Sequence, residues 1–521
     1  MTQSFSRLGP GTAAAAATAP EPPAPAFLPM SEREVSLSMI ALTMSLFVAM
    51  LSNLVVLTAL PRIVADLRGS QAAYTWIVTA SMLTIAVCTP VWGRMSDMVN
   101  KKLMIQLSVA GYVLFSVCAG MAPAAWVIIV CRVGIGVSAA GIIVMMQSIS
   151  ADIMAARNRA RWIGYRSVAM SVGTVIAPSL GGFITEHFGW RCCFFVGVPF
   201  AVASIVMVQR TLRLPAPRGG NLSGIDLPGA ILLAAGIVTL MLWVSVVGPD
   251  HGRASAFGIM VLLGGALLLG LAIAIELRAR APMLPLELFR QREVLLCVLA
   301  GIGTGAGFFG SAVFLAPYLQ LGRGLNPSLA GLMALPEAGG AMISALIASR
   351  IIARQGRYKN TLIVGALFIV AGFGLLSTLG SATPFIYVGA YVALVGGGLG
   401  IVSENLVLVV QNTVKQNRVG SVGALVVFFR MLGGVFSVAI LGALLSAHVA
   451  AEIGAHGVPG YDPRTVPELA ILIEPLRTIV QAAYAHGVAA IYLVCVPPAL
   501  LVLVSVCLLR ERRLATEIPS E

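Results

Sequence analysis

Fourteen stretches of this chain are apolar over about twenty residues each, the length of a membrane-crossing helix, and that property restricts the fold more than any motif. In hydrocarbon every backbone N–H and C=O has to be satisfied inside the protein, which leaves helices or a closed barrel. A barrel would show short alternating strands, and these runs are continuous. They fall roughly at 37–60, 73–92, 103–122, 125–149, 162–184, 191–209, 227–247, 255–275, 294–318, 328–352, 361–380, 384–410, 420–446 and 487–509. Only 11% of the chain is charged, against about 25% in a soluble domain, too little to cover a surface facing water. An all-α integral membrane protein with 14 transmembrane helices is expected.

The loop charges orient it. With the N-terminus in the cytoplasm, about 25 of the 34 Lys and Arg fall in cytoplasmic segments and about 7 outside, with Arg132 and Arg430 inside spans. Both termini are therefore expected in the cytoplasm. The net charge of +13 then reports topology and contact with anionic lipid, not nucleic acid. Residues 1–35 are Ala/Pro-rich without a basic region followed by an apolar core, so they read as a disordered cytoplasmic tail and not a signal peptide. The stretch Ala447 to Ala485 reads as the longest outside connection, with an interfacial helix near Val466 to Ala482. The eight cysteines lie in or beside apolar spans as small hydrophobes, so no metal is expected. There is no HExxH, GxSxG or phosphate loop, so neither an enzyme nor a cofactor is expected.

Two landmarks repeat at one offset. Pro61 and Pro317 differ by 256 residues, and so do Arg94 and Arg350. Parallel repeats of this kind are the arrangement of the two halves of major facilitator transporters. The offset exceeds what six helices need. The chain therefore divides into a six-helix bundle over 36–210, a linker with two extra central helices over 211–285, a second six-helix bundle over 286–512 and a tail over 513–521. Such bundles rock about a midplane site.

The motifs carry a resemblance. Gly93-Arg94-Met95-Ser96-Asp97, continuing through Asn100 and Lys101, resembles the superfamily's GxLxDxxGRK loop, in which Asp97 would cap a helix start and pair with a cation of the facing helix. Asn100 stands at the usual glycine, where positive φ is tolerated. The resemblance assigns conformational gating to Gly93, Arg94, Asp97 and Lys101. Arg132-Val133-Gly134-Ile135-Gly136 resembles RxxQG. The run Gly173 to Gly182 resembles GxxxGPxxGG of the antiporters, with Ala177 for one glycine. There Pro178 would bend the helix, and Gly173, Gly181 and Gly182 would bare one face to another helix. Trp190-Arg191 with Phe194-Phe195, and Phe429-Arg430-Met431-Leu432-Gly433-Gly434, are similar to stretches of fourteen-helix drug:proton antiporters. The implied function is proton-coupled export of small amphipathic compounds, multidrug efflux, by a monomer in the bacterial inner membrane.

The departures bear on coupling. Ser52 stands where the first helix of such antiporters has Asp, and Leu57 where it has Asn. Two acids remain within spans, Glu404 and Glu337, and intramembrane acids are functional candidates. Glu404 is the expected proton carrier, modulated by Arg132 or Arg430, with Glu337 the second candidate. Gly396 to Gly400 just before Glu404 allows close packing or bending. Ser52, Asn53, Gln147, Asn405 and Phe429 are candidate cavity residues. Two interior arginines offset the two acids, which disfavours a dication as substrate. The alternative reading is an importer or facilitator of a small organic solute without proton coupling.

Overall fold

The computed structural model describes residues 30–67, 71–214, 227–243, 255–278, 286–325, 327–414, 418–455 and 476–514. Most of the N-terminal tail and of the expected interfacial helix thus lies outside the described residues. The regular elements among the described residues are all helical.

The first group runs α1 (Glu32–Asp66), α2 (Gln71–Met98), α3 (Lys101–Gly120), α4 (Ala125–Ile153), α5 (Ala156–His187), the short α6 (Cys192–Phe195) and α7 (Val198–Thr211). Then come α8 (Leu227–Leu242) and α9 (Ala256–Glu276). The second group is α10 (Arg292–Pro317), continued by a π turn at Tyr318–Gly322, then α11 (Pro327–Leu332), α12 (Leu335–Gln355), α13 (Lys359–Leu376), α14 (Phe385–Gln411), α15 (Val419–Ala455), α16 (Leu476–Val494) and α17 (Val496–Leu508). Eleven continuous stretches are long and apolar enough to cross a membrane. With α2, α5 and α8 added, the order is consistent with fourteen crossings.

Local chemistry sets several ends. The tail reading fails at its last residues: α1 begins at Glu32, where Ser31 and Glu34 satisfy each other's backbone and side-chain groups as a capping box. Asn100 has φ −62° and accepts from the Lys102 and Leu103 amides, so it stands there as the N-cap of α3, not for positive φ. Two elements are longer than the apolar pattern suggested. Helix α15 continues to Ala455 and α16 starts at Leu476, so the connection after 447 is largely helical at both ends. The sixth helix of each group is interrupted, at Val196–Gly197 and at Cys495, each time with a proline in the first turn of the following segment.

The offset of 256 carries α1 onto α10, α2 onto α11–α12, α3 onto α13, α4 onto α14 and α5 onto the start of α15, each within several residues. The two groups meet by the same symmetry. Helix α2 packs on α15 and α5 on α12, in each case the second helix of one group on the fifth of the other. Helices α8 and α9 pack on each other, with α8 against α2. Within the second group, α14 is not broken at Gly396–Gly400. A Cβ at Gly396 or Gly400 would collide with the backbone of Glu337 or Ala341 on α12, so the glycines let two backbones touch.

Candidate functional site

One end of the bundle carries Lys101, Arg157, Arg354 and Arg418 and is called the basic end below. The two groups are tied together there by two contacts. In the first, the Asp97 carboxylate at the end of α2 accepts from the backbone N–H of Gly420 and of Ser421, each at 3.1 Å, and from the Ser421 hydroxyl. These amides are in the first turn of α15, where N–H groups have no partner within the helix and the helix dipole is positive. The partner expected for Asp97 was a cation, and the structure supplies a helix terminus. Gly93 permits the approach, because a Cβ there would meet that of Ala424.

The second contact joins α5 to α12. Arg157 donates from Nε to the Ala353 carbonyl and from Nη2 to the Arg354 carbonyl, both at 2.5 Å. These carbonyls lie in the last turn of α12, the negative end of its dipole. Gly164 lies against Ser349 on α12. Gly164 and Gly420 differ by 256, as do Gly93 and Ser349, so the two contacts are repeats of each other.

Between these contacts lies a cavity whose lining includes Met146, Gln147, Arg159, Trp162, Arg166, Glu404 and Gln411. Glu404 on α14 is ion-paired to Arg166 of α5, across the boundary between groups, and to Arg430 of α15 at 3.5 Å, within its own group. Arg430 also donates to the Ser403 carbonyl at 3.2 Å. Both arginine side chains are more than four-fifths buried, whereas 31% of the Glu404 side chain stays exposed. Two turns nearer the basic end, buried Arg159 donates from Nη1 to Gln411 Oε1, again across the boundary. Its Nε has no hydrogen-bond partner, nor has Gln147 Oε1.

Arg132 is buried and donates from Nε to the Ile77 carbonyl at 2.9 Å, holding α4 to α2. Fourteen residues separate it from Met146 on α4, about 20 Å at the helical rise, so Arg430 and not Arg132 reaches Glu404. Glu337, in the first turn of α12, accepts from Ser311 at 2.5 Å inside the second group, away from the boundary. Lys101 pairs with Asp152 at 2.6 Å within the first group. The Arg94 Nε is buried without a partner. Asn405 is fully buried and donates to its own helix at Ile401, and Phe429 stacks edge-on with Phe428 and Phe289. Neither lines the cavity; Gln147 does. Ser52 and Asn53 fall on α1 and Pro178 on α5, but their side chains lie outside the described residues.

The single bare face expected around Pro178 is not what the structure shows. Helix α5 runs through Pro178 without interruption. Gly173 is filled by the Phe47 ring of α1, Ala177 is fully buried, and Gly181 is buried with its carbonyl accepting from Thr185. Gly182 meets nothing, since one residue turns it about a quarter of the way round the helix from Gly181.

Two residues were missed. Arg159 reads as a loop charge because the apolar run starts at Trp162, whereas α5 starts at Ala156; Arg166, four residues inside that run, reads as part of the same basic cytoplasmic cluster. The detectable signal was their spacing of seven, which puts both on one helix face with Trp162 and Ile163 between them.

Comparison with known proteins agrees with this architecture. The profile of the Major Facilitator Superfamily matches residues 42–438. An uncharacterised MFS-type transporter of Mycobacterium tuberculosis is 30% identical over 475 residues, covering 90% of this chain and 69% of that protein. The multidrug transporter protein MdtP of Bacillus subtilis is 28% identical, over 78% of this chain and 74% of its own. Among solved structures, the proton:xylose symporter XylE with bound 6-bromo-6-deoxy-D-glucose superposes with a TM-score of 0.61 at 11% identity, covering 89% of this chain and 95% of that one. At that identity the likeness concerns the fold alone.

Proposed function

The chain belongs to the Major Facilitator Superfamily of membrane transporters, and from that premise we propose that it is a proton-coupled exporter of amphipathic drugs or metabolites working by alternating access. The name of the Bacillus subtilis relative supports the substrate class. In this reading the basic end is cytoplasmic, the membrane is the bacterial inner membrane, and the protein acts as a monomer.

The carrying observation is that one acid, Glu404, is tied to an arginine of the other half. As a carboxylate it adds an ion pair to the Asp97 and Arg157 contacts that close the basic end. A proton on Glu404 removes the charge that holds Arg166, and the halves are free to part there. Loss of the proton to the cytoplasm and return of the halves re-forms the pair. Arg430 is on the same half and is anchored on the Ser403 carbonyl, so it stays beside Glu404 and can donate to the neutral carboxyl as well as to the carboxylate. Glu337 bonds only within its half in this arrangement and is the weaker coupling candidate.

A second reading, an uncoupled facilitator, is favoured by Ser52, which leaves the first helix without an acid at that position. Everted vesicles containing the protein, loaded with a panel of amphipathic dyes and followed with a lumenal pH indicator, separate the two. Collapse of an imposed proton gradient by compounds, dependent on the protein and lost in Glu404→Gln, is the result expected of the exporter. Accumulation without proton movement, unchanged in Glu404→Gln, would select the facilitator.

A further inference from the structure

We propose that the cavity at the basic end is a capture site for an organic anion, an amphipathic compound whose carboxylate or sulfonate sits between Arg159 and Arg166. The inference rests on the alternating-access reading and does not depend on proton coupling.

The first ground is placement. Arg159, Trp162, Ile163 and Arg166 follow one another at the spacing of a single helix face, so α5 presents two guanidinium groups with an indole and a branched aliphatic side chain between them. That is a surface for a planar apolar body with an acidic end. The second ground is charge. Arg166 and Arg430 hold the one carboxylate of Glu404, Arg159 stands farther along α5 on Gln411, and Asp152, the acid nearest Arg159, is itself paired with Lys101, which leaves an excess of positive charge in a buried place where a cationic compound is repelled.

The third ground is the unfilled bonding capacity. Arg159 is 8% exposed and Gln147 7%, and the first has a donor and the second an acceptor without partners. Groups as buried as these nearly always bond to something. An anion oxygen would accept from Arg159 Nε, and a hydroxyl on the same compound would donate to Gln147 Oε1.

The fourth ground is what happens when the basic end opens. Every oxygen that the α5 arginines bond to in these contacts is on the other half: Ala353 and Arg354 for Arg157, Gln411 for Arg159, Glu404 for Arg166, whose bond within its own half is to the sulfur of Met146. As the halves part, Glu404 stays beside Arg430 on the other wall, which is close to neutral with a carboxylate there and carries one positive charge once Glu404 is protonated. The α5 wall is left with unmatched positive charge, and an anion arriving from the cytoplasm replaces the lost oxygens.

Two permanently charged probes on one ring system test this: 2-naphthalenesulfonate and (2-naphthylmethyl)trimethylammonium. Equilibrium binding is measured on the full chain in detergent, and flux in everted vesicles, for the native protein, Arg159→Gln and Arg159→Lys. The sulfonate is expected to bind and move, Arg159→Gln to weaken its binding about tenfold or more, and Arg159→Lys to keep part of it. Sulfonate binding of this kind without flux supports the site and refutes the exporter. Flux of the ammonium compound with no sulfonate binding leaves the exporter standing and overturns the site. Equal loss of both probes in Arg159→Gln also overturns it, by reducing Arg159 to a support for the helix. Neither binding nor flux of either probe overturns both. Arg166→Gln repeats the measurement should Arg159→Gln fail to fold, with the same outcomes.

Discussion

The contact of α2 with α15 and that of α5 with α12 occupy repeated positions, yet their chemistry is inverted. In one an acid, Asp97, meets the N-terminus of a helix; in the other a base, Arg157, meets the C-terminus of one. Both are favourable because a helix is positive at its beginning and negative at its end. Neither requires a charged side chain on the opposite half. A charge count across the interface would therefore misjudge both contacts, and the repeat is one of backbone geometry with side chains fitted separately to each copy.

The comparison can be broken most severely at Asp97. Asp97→Lys removes the acceptor of the Gly420 and Ser421 amides and sets a cation at a positive helix end, a loss of about 3 kcal/mol or more from the closed basic end. Spin-label distances across the basic end are expected to shift to the open population, with transport falling at least about tenfold. Exchanging the charges, Asp97→Arg with Arg157→Asp, sharpens the point: simple charge balance predicts rescue, whereas opposed helix ends predict a double variant worse than either single one.

A steric break comes next. Gly93→Ala drives a methyl group into that of Ala424, which cannot turn away, and should open the contact by about 1–3 kcal/mol. Gly164→Ala meets the Ser349 hydroxyl, which can rotate, and the Ser349 Cβ at 2.9 Å, a looser approach than that to Ala424, so the same distance measurement should move less. The smallest effect belongs to Arg157→Gln. Its guanidinium is partly exposed and screened, so about 0.5–1 kcal/mol is expected, a shift of a few-fold in the open population. An Arg157→Gln shift equal to that of Asp97→Lys would show that the two contacts carry equal weight.

Much of the architecture was legible because lipid allows so few solutions: runs of apolar length have to be helices, and the 256-residue echo placed the halves. Asp97 was legible as a residue reaching the facing half, but a cation was expected where a helix end stands, since a backbone dipole leaves no letter in the sequence. Glu404 stood out as an acid in an apolar run. Arg159 did not, because hydropathy trims a helix where its charged end begins, and Arg166, just inside the apolar run, is masked by the basic cluster that precedes it. Arg132 had the reverse problem. Depth in a span is visible from sequence, but which neighbour it faces is not, and the Ile77 carbonyl is an acceptor that any residue supplies.

The repeat also records where this chain was free to change length. The separation is 256 between Gly93 and Ser349, Asp97 and Ala353, and Gly164 and Gly420, all at the contacts of the basic end. Beyond the last of these contacts it is lost: Pro199 and Pro497, at matching places in the two interrupted sixth helices, stand 298 apart. If the halves descend from one duplicated ancestor, insertions were accepted only after the stretch whose register sets both contacts. The basic end has acted as a ruler on the gene, and the far side of the last pair of helices has been outside its reach.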